Sequence, residues 1–281
     1  RVRIRKIAIL IDGAFFLKRL RHLQEGKDTT SASVANLAYK LCKLHVQRLI
    51  HEKEEKKPSR WLDHVYRIFY YDAIPFDEVA HNPISNLQIQ YKKSEEARFR
   101  NELFREIRKK RKFALRLGKV SKVDDWQITD SRKTKQLLKT KNWVHVMESA
   151  LAHAEDGRRP AALDQADVDE FRRVVEAWQD FSESDIKLGL RQKGVDMRIG
   201  IDISTLTLKK QVDTIVLVTG DSDFVPAAKV ARREGVEFIL DPLWQQVNDD
   251  LNEHIDGLCS VFKSKIKTDW AEETVISEDD L

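Results

Sequence analysis

The stretch Thr214-Ile215-Val216-Leu217-Val218-Thr219-Gly220-Asp221-Ser222-Asp223-Phe224 decides the fold. Its first half is apolar and β-branched, which is typical of a buried strand, and its second half is a turn that contains two aspartates. We predict a strand over 214–219, a helix over 224–233 and another strand over 236–240. Strands that alternate with helices in this way indicate an α/β protein whose mostly parallel sheet is flanked by helices.

The N-terminus repeats this order of elements. Residues 7–11 are apolar and predict a buried strand that ends at Asp12-Gly13, and a helix follows over 15–23. Farther along the chain, the hydrophobic patterns predict two more strands and four more helices. The strands are at 65–71 and 113–120, and the helices are at 33–54, 87–112, 195–210 and 247–259.

Residues 121–190 differ from the rest of the chain because their pattern is polar and largely helical. We interpret them as a helical insertion or cap on a single domain that spans 1–265. After Lys267 the chain has six acidic residues and no basic one. This composition predicts a mobile acidic tail at 266–281.

Charge is distributed unevenly along the chain. The formal net charge is only +4 over 281 residues, but residues 92–122 hold 13 Lys or Arg against 4 Glu. A basic segment inside a nearly neutral protein favours a polyanionic partner. The alternative is a solvated helix face. Under the first interpretation, Arg105, Arg108 and Lys109 contact phosphates of the partner.

Composition also limits the compartment and the class of protein. The two cysteines, Cys42 and Cys259, form no disulfide framework and no CxxC pair, which fits a reducing cytosol. Asp12 interrupts the N-terminal apolar run, and no apolar stretch reaches the roughly 18 residues that cross a membrane. We therefore expect a soluble cytoplasmic protein with no membrane partner. The sequence leaves open whether the protein forms a homo-oligomer.

Aspartates directly follow three of the predicted strands. Asp12, Asp72 and Asp221 each come at the carboxyl end of a strand, which is the edge where open α/β sheets bind ligands. Asp223 is two residues beyond Asp221, and one alternative for it is to cap the helix that begins near Phe224, a role that is compatible with metal binding. We predict that Asp12 and Asp221 bind a ligand, and we rank Asp72 lower.

A further aspartate, Asp196, begins a predicted helix after Lys193-Gly194, where an acid also gains from the helix dipole. Asp202 lies six residues on, about 120° around the helix, so we rank it as a supporting or structural residue. Carboxylates gathered at one edge repel one another unless a cation neutralises them. Mg²⁺ or Mn²⁺ would remove that repulsion, bridge a phosphate and activate a water. Lys193 is a candidate contact for that phosphate, with an ordinary surface lysine as the alternative.

Several segments of the sequence form a set with a characteristic order and spacing. They are Ile11-Asp12-Gly13, Tyr70-Tyr71-Asp72-Ala73, Lys193-Gly194-Val195-Asp196-Met197-Arg198, Thr219-Gly220-Asp221-Ser222-Asp223-Phe224, Val225-Pro226-Ala227, Ala231-Arg232-Arg233-Glu234-Gly235-Val236 and Glu253-His254. With these pieces the chain resembles the LabA-like branch of the NYN domain family, within the PIN-like nuclease superfamily. The order and spacing of the pieces are more specific than any one piece, and they span most of the chain except 121–190, for which no family counterpart is identified.

The resemblance implies a PIN-like, Rossmann-like sheet, a bound Mg²⁺ or Mn²⁺ ion and RNA as the substrate. Asp12, Asp196, Asp221 and Asp223 match the family's acidic positions, so the resemblance assigns them as catalytic residues and metal ligands. Ser222 lies among them and joins Lys193 as a candidate substrate contact.

Three functions remain open at this point. The first is a divalent-metal-dependent ribonuclease, an endoribonuclease, with its aspartates at the C-terminal edge of the sheet. The second is a non-catalytic RNA-binding or regulatory module with the same fold. Phe15 favours the second, because many relatives carry Asn there to orient the first carboxylate or a water, but the intact set of four acids opposes it.

The third function is a phosphohydrolase that acts on small phosphate esters. Such an enzyme is expected to have a nucleophilic Asp with a second Asp two residues later. Position 14 is Ala, which argues against this class. We predict the first function.

Overall fold

The strands of the protein are mostly short and alternate with helices along the chain. The computed structural model describes residues 4–23, 29–51, 60–155 and 165–263, and the predicted tail at 266–281 lies outside them. Within the described residues there are nine strands: β1 Ile7–Asp12, β2 Val65–Ile74, β3 Val79–His81, β4 Gln88–Gln90, β5 Phe113–Ile128, β6 Ile186–Lys193, β7 Thr214–Val218, β8 Glu237–Asp241 and β9 Gly257–Leu258.

Seven of these strands form one sheet in the order β6-β5-β2-β1-β7-β8-β9. The neighbours from β5 to β9 in this order pair in parallel. β6 runs antiparallel to β5. In the first half of β5, Gly118 lies next to the carbonyl of Lys193 at the end of β6, and farther along β5, Asp124 lies next to Gly189, nearer the start of β6. β3 and β4 pair with each other as a separate antiparallel ribbon. The prediction of an α/β protein with a mostly parallel sheet is confirmed.

Helices follow most of the strands. The described chain contains α1 Gly13–Leu23, α2 Ser31–Leu49, α3 Trp61–His64, α4 Glu95–Arg108, α5 Ser131–Leu138, α6 Val144–Glu155, α7 Gln165–Gln179, α8 Val195–Leu208, α9 Val225–Arg233 and α10 Asp249–Asn252. Side-chain caps mark where four of them begin, α2, α4, α5 and α10. Thr30 accepts from the Ser33 N–H ahead of α2, and Ser94 accepts from the Ala97 N–H ahead of α4. Each cap satisfies an N–H group that has no partner inside the helix.

The hydrophobic core lies on both faces of the sheet, and alternate residues of β1 belong to the two sides. Ile7, Ile9 and Ile11 face one hydrophobic cluster together with residues of α1 and α2. Ala8 and Leu10 face the other cluster, which contains residues of α8 and α9. Because successive side chains of a strand point to opposite faces, a strand buried on both faces must be apolar at every position. Residues 7–11 meet this condition, and all five are fully buried.

The chain divides into two compact units. The first comprises residues 1–77, 91–121 and 192–281, and the second comprises residues 78–90 and 122–191. All the candidate site residues named above belong to the first unit. The assignment of 121–190 as an insertion on one domain spanning 1–265 stays a prediction.

Several predicted boundaries were wrong. β5 continues to Ile128 and β6 occupies residues 186–193, so the segment predicted as helical at 121–190 begins and ends in strand. The helix predicted at 87–112 begins only at Glu95, and the last predicted helix, at 247–259, is reduced to the four residues of α10. Capping by Ser94 explains the first change, since the residues before it form β4 and a short 3₁₀ turn.

Candidate active site

Parallel pairing of β1 with β7 brings two acidic segments to one edge of the sheet. Ile11 is opposite Val218, so Asp12, the last residue of β1, lies beside the turn that follows β7. α8 brings Asp196 to the same group of charges. Gly194 precedes this helix with a φ of 76°, a left-handed conformation that glycine adopts without strain.

Asp12 is the most perturbed of these carboxylates. Its Oδ1 accepts from the Phe15 N–H at 3.1 Å, and its Oδ2 accepts from the Thr219 hydroxyl at 3.3 Å. Burial raises the pKa of Asp12 from 3.8 to about 6, and the charge of Asp196 adds to the increase, while the two hydrogen bonds lower it. Burial therefore makes the charged form of Asp12 less favourable in the protein than in water.

The backbone of Phe15 orients the carboxylate of Asp12, a role that sequence analysis assigned to the Asn side chain of many relatives. The Asn of many relatives would orient the first carboxylate or a water, and here the backbone N–H of residue 15 orients Asp12 Oδ1 whatever side chain it carries. The ring of Phe15 lies against the turn after β7. A Cβ atom added at Gly220 would lie 2.8 Å from Phe15 Cε2 and 2.5 Å from Gln245 Nε2, so this close approach requires glycine.

Asp221 caps the turn after β7. Its Oδ1 accepts from the Asp223 N–H at 3.0 Å, at the start of the 3₁₀ turn formed by Ser222–Phe224. Asp223 does not take the alternative role of capping the following helix, because α9 begins after Phe224 without a side-chain cap. The cap occupies one oxygen of Asp221, so its Oδ2 can take another partner. The Asp223 side chain is exposed.

Asp196 connects the acidic residues electrostatically. Partial burial and the charges of Asp221 and Asp223 raise its pKa, and Asp196 in turn raises the pKa of Asp12. The structure thus brings together all four aspartates that sequence analysis ranked highest. They come from three segments that are far apart in the chain, and Asp196 is coupled electrostatically to the other three.

Asp72 lies at the end of the neighbouring strand but has a basic partner. Its two oxygens lie 2.5 and 2.6 Å from Nη1 of Arg100, and its Oδ1 also accepts from the Ala73 N–H. The Asp72 side chain is fully buried and that of Arg100 is 14% exposed. Burial raises the pKa of Asp72, and the Arg100 charge opposes that increase. This carboxylate is therefore neutralised by the protein itself.

Asp202 is also held by side chains of the protein. Nε and Nη2 of Arg116 donate to its two oxygens at 3.0 and 2.9 Å, and the Tyr71 hydroxyl donates at 2.8 Å. These contacts hold α8 against β2 and β5. That Asp202 is a supporting or structural residue stays a prediction, and these contacts are consistent with it.

The predicted substrate contacts fall into two places. Lys193 is exposed at the end of β6, three residues before Asp196, and Ser222 lies between Asp221 and Asp223. Both belong to the segments that carry the acidic residues.

Arg105, Arg108 and Lys109 lie elsewhere. Arg100 in α4 contacts Asp72 near the end of β2. From there α4 continues towards Phe113, the first residue of β5, which pairs with Ile68 near the start of β2. The three basic residues are therefore about 8–14 Å farther along α4 than Arg100, towards the opposite edge of the sheet. Arg105 pairs with Glu102 and Lys109 with Glu106.

Sequence analysis missed Thr219 as a functional residue. Its hydroxyl donates to Asp12 and accepts from the Asp221 N–H at 3.3 Å, so one buried side chain links the ends of β1 and β7. A threonine directly after an apolar strand carried no sequence signal that distinguished it from an ordinary strand residue.

A second acidic group involves α10. Among the described residues, one group of three side chains that can bind a metal has all its ligand atoms within 4.8 Å of one another. It consists of Asp250, Glu253 and His254. The sequence signal was the i, i+3, i+4 spacing, which places side chains on one face of a helix. No three of Asp12, Asp196, Asp221 and Asp223 approach as closely within the described chain.

The fold and the site define a class of protein: an α/β sheet with coupled carboxylates at the carboxyl ends of its central strands. The family model of the NYN domain matches residues 121–256, which supports membership of that family, whose domains are PIN-like nucleases. The matched range contains Asp196, Asp221 and Asp223. Among curated proteins, none matches the chain.

Among solved structures, a Vibrio parahaemolyticus protein of unknown function matches the chain, with 14% sequence identity and a TM-score of 0.41 over 94% of this chain and 96% of that one. The family match also corrects an expectation, because it includes residues 121–190, for which no counterpart had been identified. In the described part of the chain, no helix combines the length and the apolar character needed to span a membrane.

Proposed function

We propose that the protein is a divalent-metal-dependent endoribonuclease whose active site contains Asp12, Asp196, Asp221 and Asp223. The observation that carries the proposal is the electrostatic coupling of Asp196 with Asp12 on one side and with Asp221 and Asp223 on the other. An acid whose pKa is raised by neighbouring acids destabilises a fold unless a cation offsets the repulsion. Perturbed groups of this kind concentrate at functional sites.

The residues present fit Mg²⁺ or Mn²⁺ in a particular way. The donors are carboxylates, which hard cations prefer, but no three of them approach within 4.8 Å in the described chain. Mg²⁺ usually retains several waters and takes only one or two protein carboxylates together with substrate phosphates. The open arrangement therefore suits a hydrated ion better than a site closed by protein ligands.

The side chains divide the work according to their burial. Asp12 is held by Phe15 and Thr219, so it offers a fixed oxygen, whereas the exposed Asp223 is able to move towards a ligand. When bound, the metal supplies an activated water and neutralises phosphate charge. Lys193 is close enough in sequence to Asp196 to contact a phosphate oxygen at the same edge.

RNA is the proposed substrate because the NYN family model matches the segment that holds three of the four acids. The basic residues Arg105, Arg108 and Lys109 would then contact a more distant part of the strand. If they do, charge reversal at these positions will weaken RNA binding and flatten its salt dependence. Unchanged affinity and slope would remove these residues from the proposal.

The deciding experiment is cleavage of labelled single-stranded and structured RNA with Mn²⁺, Mg²⁺ or EDTA. Wild type is compared with Asp12→Asn and Asp221→Asn, and folding is checked by circular dichroism. Asp63→Asn is the matched control, because Asp63 lies just before the start of β2 and pairs with Arg60. We expect metal-dependent cleavage in wild type and in the control, and its loss in the other two variants.

Two results would contradict the proposal. Cleavage that persists in both site variants would place the chemistry elsewhere. Salt-sensitive RNA binding with no cleavage under any metal would favour the non-catalytic RNA-binding module.

A further inference from the structure

A cleft of about 430 Å³ lies between α8 and α9, next to the acidic residues. Asp196 and Asp223 form part of its lining. Most of the remaining wall is apolar and includes Met197 and Ile201 from α8 and Pro226 from α9. The cleft is therefore continuous with the proposed active site and changes from charged to apolar along its length.

α8 has apolar residues on two sides, although only one side faces the core. Ile199 and Ile203 are fully buried, whereas Met197 is 72% and Ile201 56% exposed. A helix that packs one face on a core normally has polar residues on the other. The exposed apolar side of α8 is the side that lines the cleft.

Gly200 lies between these two exposed residues in the chain. Because it has no side chain, it leaves space in the cleft that it lines. Glycine inside a helix is less favourable than alanine by about 0.5–1 kcal/mol. No packing constraint explains it, because a Cβ atom added at Gly200 would meet no other atom within 4 Å. The space that a side chain would fill is part of the cleft.

We propose that this cleft binds one unpaired nucleobase of the RNA whose phosphate is held at Asp196 and Asp223. The inference deepens the proposed function and rests on it for the position of the phosphate. A nucleotide has the same change of character as the cleft, since an anionic phosphate is joined to a flat, weakly polar base. The volume lies in the range of about 300–1,000 Å³ that is usual for small-ligand sites.

The consequence is selectivity for single-stranded RNA. A base enters the cleft only when it is unstacked and unpaired, as in loops, bulges and ends. Contacts between a base and the wall tolerate different bases, because they depend on the flat face of the base and not on hydrogen-bonding groups.

The two methionines of the chain provide a direct test. Met197 lines the cleft, and Met147 lies in α6 of the second unit. The full-length protein is labelled with [¹³C-methyl]methionine and titrated with AMP in the presence of Mg²⁺, and Met197→Leu assigns the signals. We expect the ring current of adenine to shift the Met197 methyl signal, while the Met147 signal stays in place as an internal reference. Ribose 5-phosphate, which has no base, should not cause the shift.

A pair of variants at Gly200 separates filling of the cleft from damage to the fold. Gly200→Ala adds one methyl group and should retain the AMP-induced shift. Gly200→Leu fills the cleft and should weaken AMP binding about tenfold, which corresponds to about 1.4 kcal/mol. An unchanged circular dichroism spectrum and Met147 signal will show that Gly200→Leu is folded.

The outcomes distinguish failure of this inference from failure of the proposed function. An absent AMP-induced shift in a protein that cleaves RNA would overturn the base site and leave the nuclease intact. A shift that Gly200→Leu abolishes would support the base site even if no RNA were cleaved. A Met197 signal that moves on dilution of the protein, and not on addition of AMP, would show that a second copy covers the cleft and would overturn the proposal.

Discussion

Asp12 and Asp72 follow neighbouring parallel strands, β1 and β2, yet their surroundings differ. Asp12 is paired in register with Tyr71, so the two aspartates are one position apart along the edge. Arg100 neutralises Asp72 in a buried ion pair. Asp12 accepts only neutral hydrogen bonds in the described structure, and its charged neighbours Asp196 and Asp72 are acidic.

The comparison teaches that a carboxylate at a strand end is not by itself a ligand. The position makes the residue accessible to a ligand, but the partner decides whether its charge remains available. Asp72 and Asp202 each have an arginine. The described contacts of the four proposed ligands include no such pair.

The largest expected effect comes from removing the partner of Asp72. Arg100→Met leaves a buried carboxylate unpaired and should lower the free energy of unfolding by about 3–5 kcal/mol. Urea denaturation at pH 7 measures it. Arg105→Met, which breaks an exposed pair with Glu102, should change stability by less than about 1 kcal/mol. Adding Asp72→Asn to Arg100→Met should restore part of the loss, and no restoration would argue against the ion pair as its cause.

A second effect is stabilisation by a bound metal, which we expect to depend on Asp12 and not on Asp72. At a concentration a hundredfold above its dissociation constant, Mg²⁺ or Mn²⁺ should stabilise wild type by about 2.7 kcal/mol over EDTA. We expect Asp12→Asn and Asp221→Asn to lose most of this gain, and Arg100→Met/Asp72→Asn to keep it. Thermal denaturation with and without metal measures the difference.

The group beside α10 provides the control for metal binding. Asp250→Asn and His254→Gln alter the cluster whose ligand atoms all lie within 4.8 Å of one another. If these variants, and not those at Asp12 and Asp221, remove the stabilisation, the metal site belongs to α10.

A third effect is the dependence of stability on pH in EDTA. The pKa of Asp12 rises from 3.8 to about 6 on folding, so the folded state binds its proton more tightly than the unfolded state. This contribution is complete below about pH 4 and is lost as the pH rises through about 6. Asp12→Asn should therefore be more stable than wild type by about 1–3 kcal/mol at pH 7, and the difference should disappear near pH 4. An equal difference at both pH values would exclude titration of Asp12 as its origin.

The smallest effect concerns Thr219. Thr219→Val removes the hydroxyl that donates to Asp12 and should lower the free energy of unfolding by about 0.5–1.5 kcal/mol. Because this hydrogen bond lowers the pKa of Asp12, its loss should move the titration of Asp12 to higher pH. Carbon-detected NMR of the carboxyl group measures the shift, and a midpoint that stays in place would show that Thr219 does not act on Asp12.

Much of the fold was predictable because its signals are local. The apolar residues of β1 and β7 predicted buried strands, and the first polar residues after them marked the edge of the sheet. β6 was missed although Ile186, Leu188 and Leu190 alternate with more polar residues. Eight residues with a glycine among polar helices gave a pattern too short to separate strand from helix.

The sequence by itself determined the class of fold and provided the four aspartates of the proposed site. An apolar run that is buried on both faces must be a central strand of the sheet. The polar residue that ends the run therefore lies where the carboxyl ends of the parallel strands meet. Only the tertiary structure decided which carboxylates have basic partners. Arg100 is 28 residues from Asp72, and Thr219 is 207 residues from Asp12. Such contacts depend on how the helices pack on the sheet, so no local pattern in the chain encodes them.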